Sequence, residues 1–109
     1  MARDIGLEEL IREELQSVSG ISSKSMFGGQ AWLLNGNLLC GARDDGMLVR
    51  LGKGRDTWAL QITGVEPMLS RGRVMHGWVR CKSNVYGEDS LRTQLFSRAL
   101  EFVRTLPGK

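Results

Sequence analysis

The chain of 109 residues contains one histidine, His76, and two cysteines, Cys40 and Cys81. A lone histidine leaves no His-rich metal site, and no acidic residue stands in the strand-like segment around it to orient the ring for a triad. No Cys-x-x-Cys spacing occurs, so the pattern holds no thiolate metal pair. Both cysteines lie in strand-like segments and read as reduced core thiols, poor nucleophiles because burial disfavours the thiolate. Long apolar runs are also missing. The first apolar stretch, Ile5 to Leu15, is short and studded with charge. It fits neither a signal-peptide core nor a membrane span, so the expected location is the cytoplasm, with no membrane partner. Gly52-Lys53-Gly54-Arg55 lacks the Gly-x4-Gly-Lys-Ser/Thr pattern of a P-loop and reads as a turn with incidental charge. The expectation is a protein that is not an enzyme and takes no cofactor or metal.

What is present is an ordinary globular composition, 41% hydrophobic and 25% charged, at the length of a single domain covering residues 1–109. The net charge of +3 is unevenly spread: Arg43 to Lys82 holds eight basic residues against four acidic ones. A basic centre permits an acidic partner such as nucleic acid without requiring one. Only the first three residues and Pro107-Gly108-Lys109 look untethered.

Lys24 to Leu51 reads as three strands joined by turns at Asn35-Gly36 and Asp45-Gly46, because type I′ turns need positive φ at both central residues. The first turn predicts Leu33 opposite Leu38, Trp32 opposite Leu39 and Ala31 opposite Cys40. The second predicts Asp44 opposite Met47, Ala42 opposite Val49 and Cys40 opposite Leu51. Paired residues share a face. One face then collects Phe27, Gly29, Ala31, Leu33, Leu38, Cys40, Ala42, Met47, Val49 and Leu51 as the core. The other is mixed. Ahead of these strands, Leu7 to Val18 has one apolar stripe, with Asp4 as its N-cap, Gly20 as its stop and Glu8, Glu9, Glu13 and Glu14 on the wet side.

Asp56 to Ile62 reads as a short helix, and Val65 to Met68 as a strand confined to an edge by Pro67. Met75 to Cys81 reads as a strand with Met75, Gly77, Val79 and Cys81 inward. Ser90 to Leu106 carries the broad apolar stripe of a long helix packed on the sheet. The order α-β-β-β-α-β-β-α predicts a two-layer α+β fold, a five-stranded antiparallel sheet of order 1-2-3-5-4 with helices on one face.

Met26-Phe27-Gly28-Gly29, Asn35-Gly36-Asn37, Met75-His76-Gly77-Trp78-Val79 and the stretch Arg98 to Pro107 together resemble the TfoX (Sxy) N-terminal domain family. The resemblance covers nearly the whole chain. It implies a role in regulating bacterial competence and no defined catalytic site. It also implies a fold like that of type III secretion chaperones, which commonly dimerise. Full-length members carry a second, helical domain that this chain, ending at Lys109, is expected to lack.

The mixed sheet face is the candidate interaction surface: Trp32, Leu34, Leu39, Arg43, Arg50, His76, Trp78 and Arg80. Tryptophan, leucine and arginine are common anchors of protein interfaces, which fits a homodimer or a regulatory protein partner. Coverage by the chain's own helix or tail is a second reading. A third is nucleic acid, stacked on Trp32 and Trp78 and held by Arg43, Arg50 and Arg80, although aromatics make up only 6% of the chain. His76 itself reads as a partly exposed structural residue.

Overall fold

The computed structural model describes residues 4–26 and 28–109. Phe27, expected in the core and in the Met26 to Gly29 motif, lies outside the described residues, as do the three N-terminal residues expected to be untethered. The elements in chain order are α1 (Ile5–Leu15), β1 (Ile21–Met26), β2 (Gly29–Leu34), β3 (Asn37–Arg43), β4 (Gly46–Arg50), α2 (Thr57–Leu60), β5 (Val65–Ser70), β6 (Arg73–Cys81), α3 (Ser83–Tyr86) and α4 (Asp89–Val103). Among the described residues the strands form one antiparallel sheet of six, in the order β1-β2-β3-β4-β6-β5. This corrects the five-stranded sheet of order 1-2-3-5-4. The strand missed is β1, whose Ser22 to Ser25 are all exposed. An exposed edge strand is defined by backbone pairing and carries no hydrophobic period to read.

All four helices pack on one face. Leu7, Ile11 and Leu15 of α1, Ala59 of α2, Val85 of α3 and Leu95, Phe96, Ala99 and Val103 of α4 share a core with Cys40, Ala42, Met47, Val49 and Leu51. Asp4 caps α1 as expected, accepting from the Leu7 N–H at 3.0 Å. Its other oxygen accepts from the Tyr86 hydroxyl at 3.1 Å, so the cap also ties α1 to α3. Burial, and then this hydrogen bond to Asp4, hold the Tyr86 phenol above its ordinary pKa.

The wet face of α1 is not uniformly wet. Glu8 is fully buried and lies 3.4 Å from Arg12. Glu14 accepts from Arg92 at 3.0 Å and from Thr93 at 3.1 Å. Charge pattern placed both glutamates in solvent. The packing of α4 beside α1 brings in the buried Arg92, which only the tertiary fold could reveal.

The C-terminal tail is also held. Asn37 Nδ2 donates to the Pro107 carbonyl at 2.8 Å, and Lys109 N–H donates to the Asn35 carbonyl at 2.8 Å. The expectation of an untethered Pro107 to Lys109 is therefore corrected: hydrogen bonding across the β2–β3 turn replaces an apolar anchor.

Candidate interaction surface

The two hairpin turns differ. Asn35 and Gly36 have φ of +52° and +84°, as a type I′ turn requires. The second turn is displaced: Arg43 pairs with Gly46 and Ala42 with Met47, so Asp44 and Asp45 form the loop. Cys40 consequently faces Val49, and not Leu51. This two-residue displacement keeps each side chain of β4 on its expected face.

The first hairpin contains a larger change. Leu33 pairs with Leu38, but Trp32 pairs with Cys40, leaving Leu39 as an extra residue in β3. A bulge of one residue reverses side-chain parity for the rest of the ladder. Trp32, Leu34 and Leu39, expected on the mixed face, are 4%, 2% and 0% exposed and belong to the helix-covered core. Leu38, expected in the core, packs instead with Leu48, Met68 and Trp78. Leu38-Leu39-Cys40 is apolar at every position, so no alternation in the sequence marks the bulge.

A second irregularity lies in β6. While β5 advances from Pro67 to Leu69, β6 runs from Val79 to Val74. Gly77 adopts φ of +89° inside this stretch. The kink places Met75 against Trp78 on the second face, correcting its inward assignment. His76 is exposed. Leu69 and Val74 face each other near the hairpin end, 55% and 47% exposed.

The second face thus has an apolar centre of Leu38, Leu48, Met68, Met75 and Trp78. Beside it lies an ion-pair group. Arg43 contacts Asp45 at 2.6 Å, Arg80 binds Glu66 and the Asp45 carbonyl, and Lys82 reaches Glu66 at 3.1 Å. The hydrogen bond from Arg43 holds the Asp45 carboxyl below its ordinary pKa, and those from Lys82 and Arg80 do the same for Glu66. Arg50 donates to the Leu38 carbonyl at 3.2 Å and lies 5.7 Å from the Phe102 ring centre.

Of the expected surface residues, the structure brings Arg43, Arg50, Trp78 and Arg80 to neighbouring strands of the second face through the Arg50–Trp78 and Leu48–Arg80 pairings. It removes Trp32, Leu34 and Leu39 from that face. Sequence reasoning missed Leu38, Met68, Leu69, Val74 and Met75. Their exposure and side depend on the two irregular registers, so alternation alone misleads.

Both cysteines are buried in the helix-covered core. Burial pushes the Cys81 thiol up to about 12 and raises Cys40 further in the same direction. Among the described residues no group of histidine, cysteine and acidic side chains could hold a metal ion, and no helix is long and apolar enough to cross a membrane.

The family model of the TfoX N-terminal domain matches residues 13–103. The chain belongs to the TfoX N-terminal domain family. Its match runs from the second half of α1 to the end of α4, so the bulged hairpin, the kinked β6 and the long helix all lie within the TfoX N-terminal domain. Neither the curated proteins nor the solved structures searched yield a match to the chain.

Proposed function

We propose that this TfoX N-terminal domain is a non-enzymatic regulatory interaction module of the competence-regulator kind, working as a homodimer through its exposed β5–β6 hairpin. The observation that carries this reading is the apolar surface at the β5–β6 hairpin. Leu69 and Val74 are paired across β5 and β6 and are both exposed. Large apolar side chains exposed together mark interaction sites.

The nucleic-acid reading loses its geometric support. Trp32 is buried beneath the helices, Trp78 is 7% exposed, and Arg43 and Arg80 are engaged by carboxylates. Base stacking needs open aromatic faces.

Sedimentation of the wild-type chain and of the Leu69→Glu/Val74→Glu double variant tests the proposal. The expected result is a wild-type dimer and a monomeric variant with an unchanged circular dichroism spectrum. A wild-type chain that stays monomeric into the high micromolar range overturns the homodimer.

A further inference from the structure

We infer that the cleft between the loop after β4 and the outer side of α4 binds a small oxyanion, a phosphate ester or a carboxylate carried on an apolar body. The cleft has a volume of about 260 Å³ and is lined by Leu51, Arg55, Trp58, Arg98 and Glu101. That size lies just under the range of about 300–1,000 Å³ usual for ligand pockets, which suits a single headgroup on a small body.

Both arginines of the lining lie over aromatic rings. The Arg98 guanidinium lies 5.7 Å from the Trp58 ring centre, and that of Arg55 lies 5.8 Å from the Phe102 ring centre. Among the described residues, the ion pairs use Arg12, Arg43, Arg80, Lys82 and Arg92. Arg55 and Arg98 therefore lie over aromatic rings with no ion pair to a described carboxylate. A guanidinium over a ring spends none of its N–H donors on a carboxylate. Those donors match two oxygens of a carboxylate or phosphate.

The support is preorganised. Leu51 N–H and Gly52 N–H both donate to the Gly77 carbonyl, and Arg55 N–H donates to the Gly52 carbonyl at 2.9 Å. Gly52 has φ of +102°, and a Cβ there would meet a Phe102 ring carbon at 2.6 Å. The absent side chain lets the loop lie directly on the ring under Arg55. Leu51 is fully buried and forms an apolar floor, while the exposed Lys53 adds positive charge on the same loop. Glu101 is the one acidic residue of the lining. It opposes a bound anion, so its neutralisation should tighten binding. A larger depression of about 600 Å³ along α4 is lined by Asp89, Ser90, Thr93, Gln94, Ser97 and Arg98. It has one cation to one carboxylate and lacks this convergence.

The experiment is an NMR titration of the full chain with phenyl phosphate, benzoate and inorganic phosphate, following the Trp58 indole and Leu51 amide signals. Sodium chloride at matched ionic strength is the reference. Saturable shifts are expected with at least one of the aromatic anions, and weaker ones with inorganic phosphate, which has no apolar body. Saturation by phenyl phosphate alone assigns a phosphate ester, and saturation by benzoate alone assigns a carboxylate. Arg55→Ala and Arg98→Ala should each weaken binding about tenfold, as expected for loss of one charge-assisted contact. Arg98→Lys should recover only part of the loss, and Glu101→Gln should strengthen binding. The inference is overturned by shifts that follow ionic strength alone, or by saturable binding that persists in the folded Arg55→Ala/Arg98→Ala variant.

Discussion

The carbonyl of Gly77 accepts the N–H of Gly52 at 3.1 Å and, in the same position, that of Leu51 at 2.7 Å. One peptide unit of β6 thereby fastens the start of the loop leading to α2. The approach is possible only without a side chain, since a Cβ on Gly77 would stand 2.6 Å from the Lys53 nitrogen. Positive φ at Gly77 adds a second reason for glycine.

Gly77→Ala is accordingly expected to destabilise the domain by about 2–4 kcal/mol, from left-handed strain plus overlap with backbone that cannot rotate away. Gly54 has φ of +82° but open space around its Cα, so Gly54→Ala should cost only about 1 kcal/mol. Urea unfolding of the two variants checks the difference. Equal losses would mean that contact with the loop adds nothing to the backbone strain.

Arg92 should be the most costly charged side chain to remove from the helical layer. It donates to Glu14 at 3.0 Å, to Asp89 at 2.8 Å and to the Tyr86 carbonyl at 2.7 Å, while 6% exposed. Arg92→Leu leaves Glu14 partly buried without its cation, with an expected loss of about 3 kcal/mol. Arg92→Leu/Glu14→Leu should recover much of that loss, because the remaining charge goes too. Denaturant unfolding of the cycle measures the coupling. Additive losses would show that the two side chains act independently.

Acid should loosen the β3–β4 loop and its contacts with β5 and β6. Asp45 and Glu66 have folded pKa values below their ordinary ones, so their contribution is complete above the usual carboxylate range near about pH 4. It is lost as pH falls through the lowered folded values. Stability should therefore stay flat on this account from neutral pH to about 5 and decline below about 4. Asp45→Asn/Glu66→Gln should show a shallower acid decline in thermal unfolding. An identical acid limb in wild type and variant would remove these two groups as its source. High salt should reduce the difference, because both carboxylates are partly exposed.

Much of the sheet was legible along the chain. Asn35-Gly36 specified its own turn through two positive φ angles, and Pro67 kept β5 at an edge. Asp4 marked the start of α1, and the stripe from Leu91 to Val103 marked α4. The candidate surface was less legible. Trp32 and Trp78 both stand at positions that simple alternation assigns to one face, yet Trp32 packs under the helices and Trp78 lies on the other side.

The sequence by itself determined the α+β class, the edge position of β5 and the family motifs spread along the chain. These rest on local chemistry: turn residues, caps and hydrophobic period. Only the tertiary structure decided which side of the sheet Trp32, Leu34 and Leu39 occupy, where Glu14 meets Arg92, and that Arg55 and Arg98 flank one cleft. The reason is physical. A bulge at Leu39 costs little locally and reverses a whole strand, and contacts between distant elements leave no periodic mark in either one. The face of β2 that alternation assigned to a partner is therefore sealed beneath the helices.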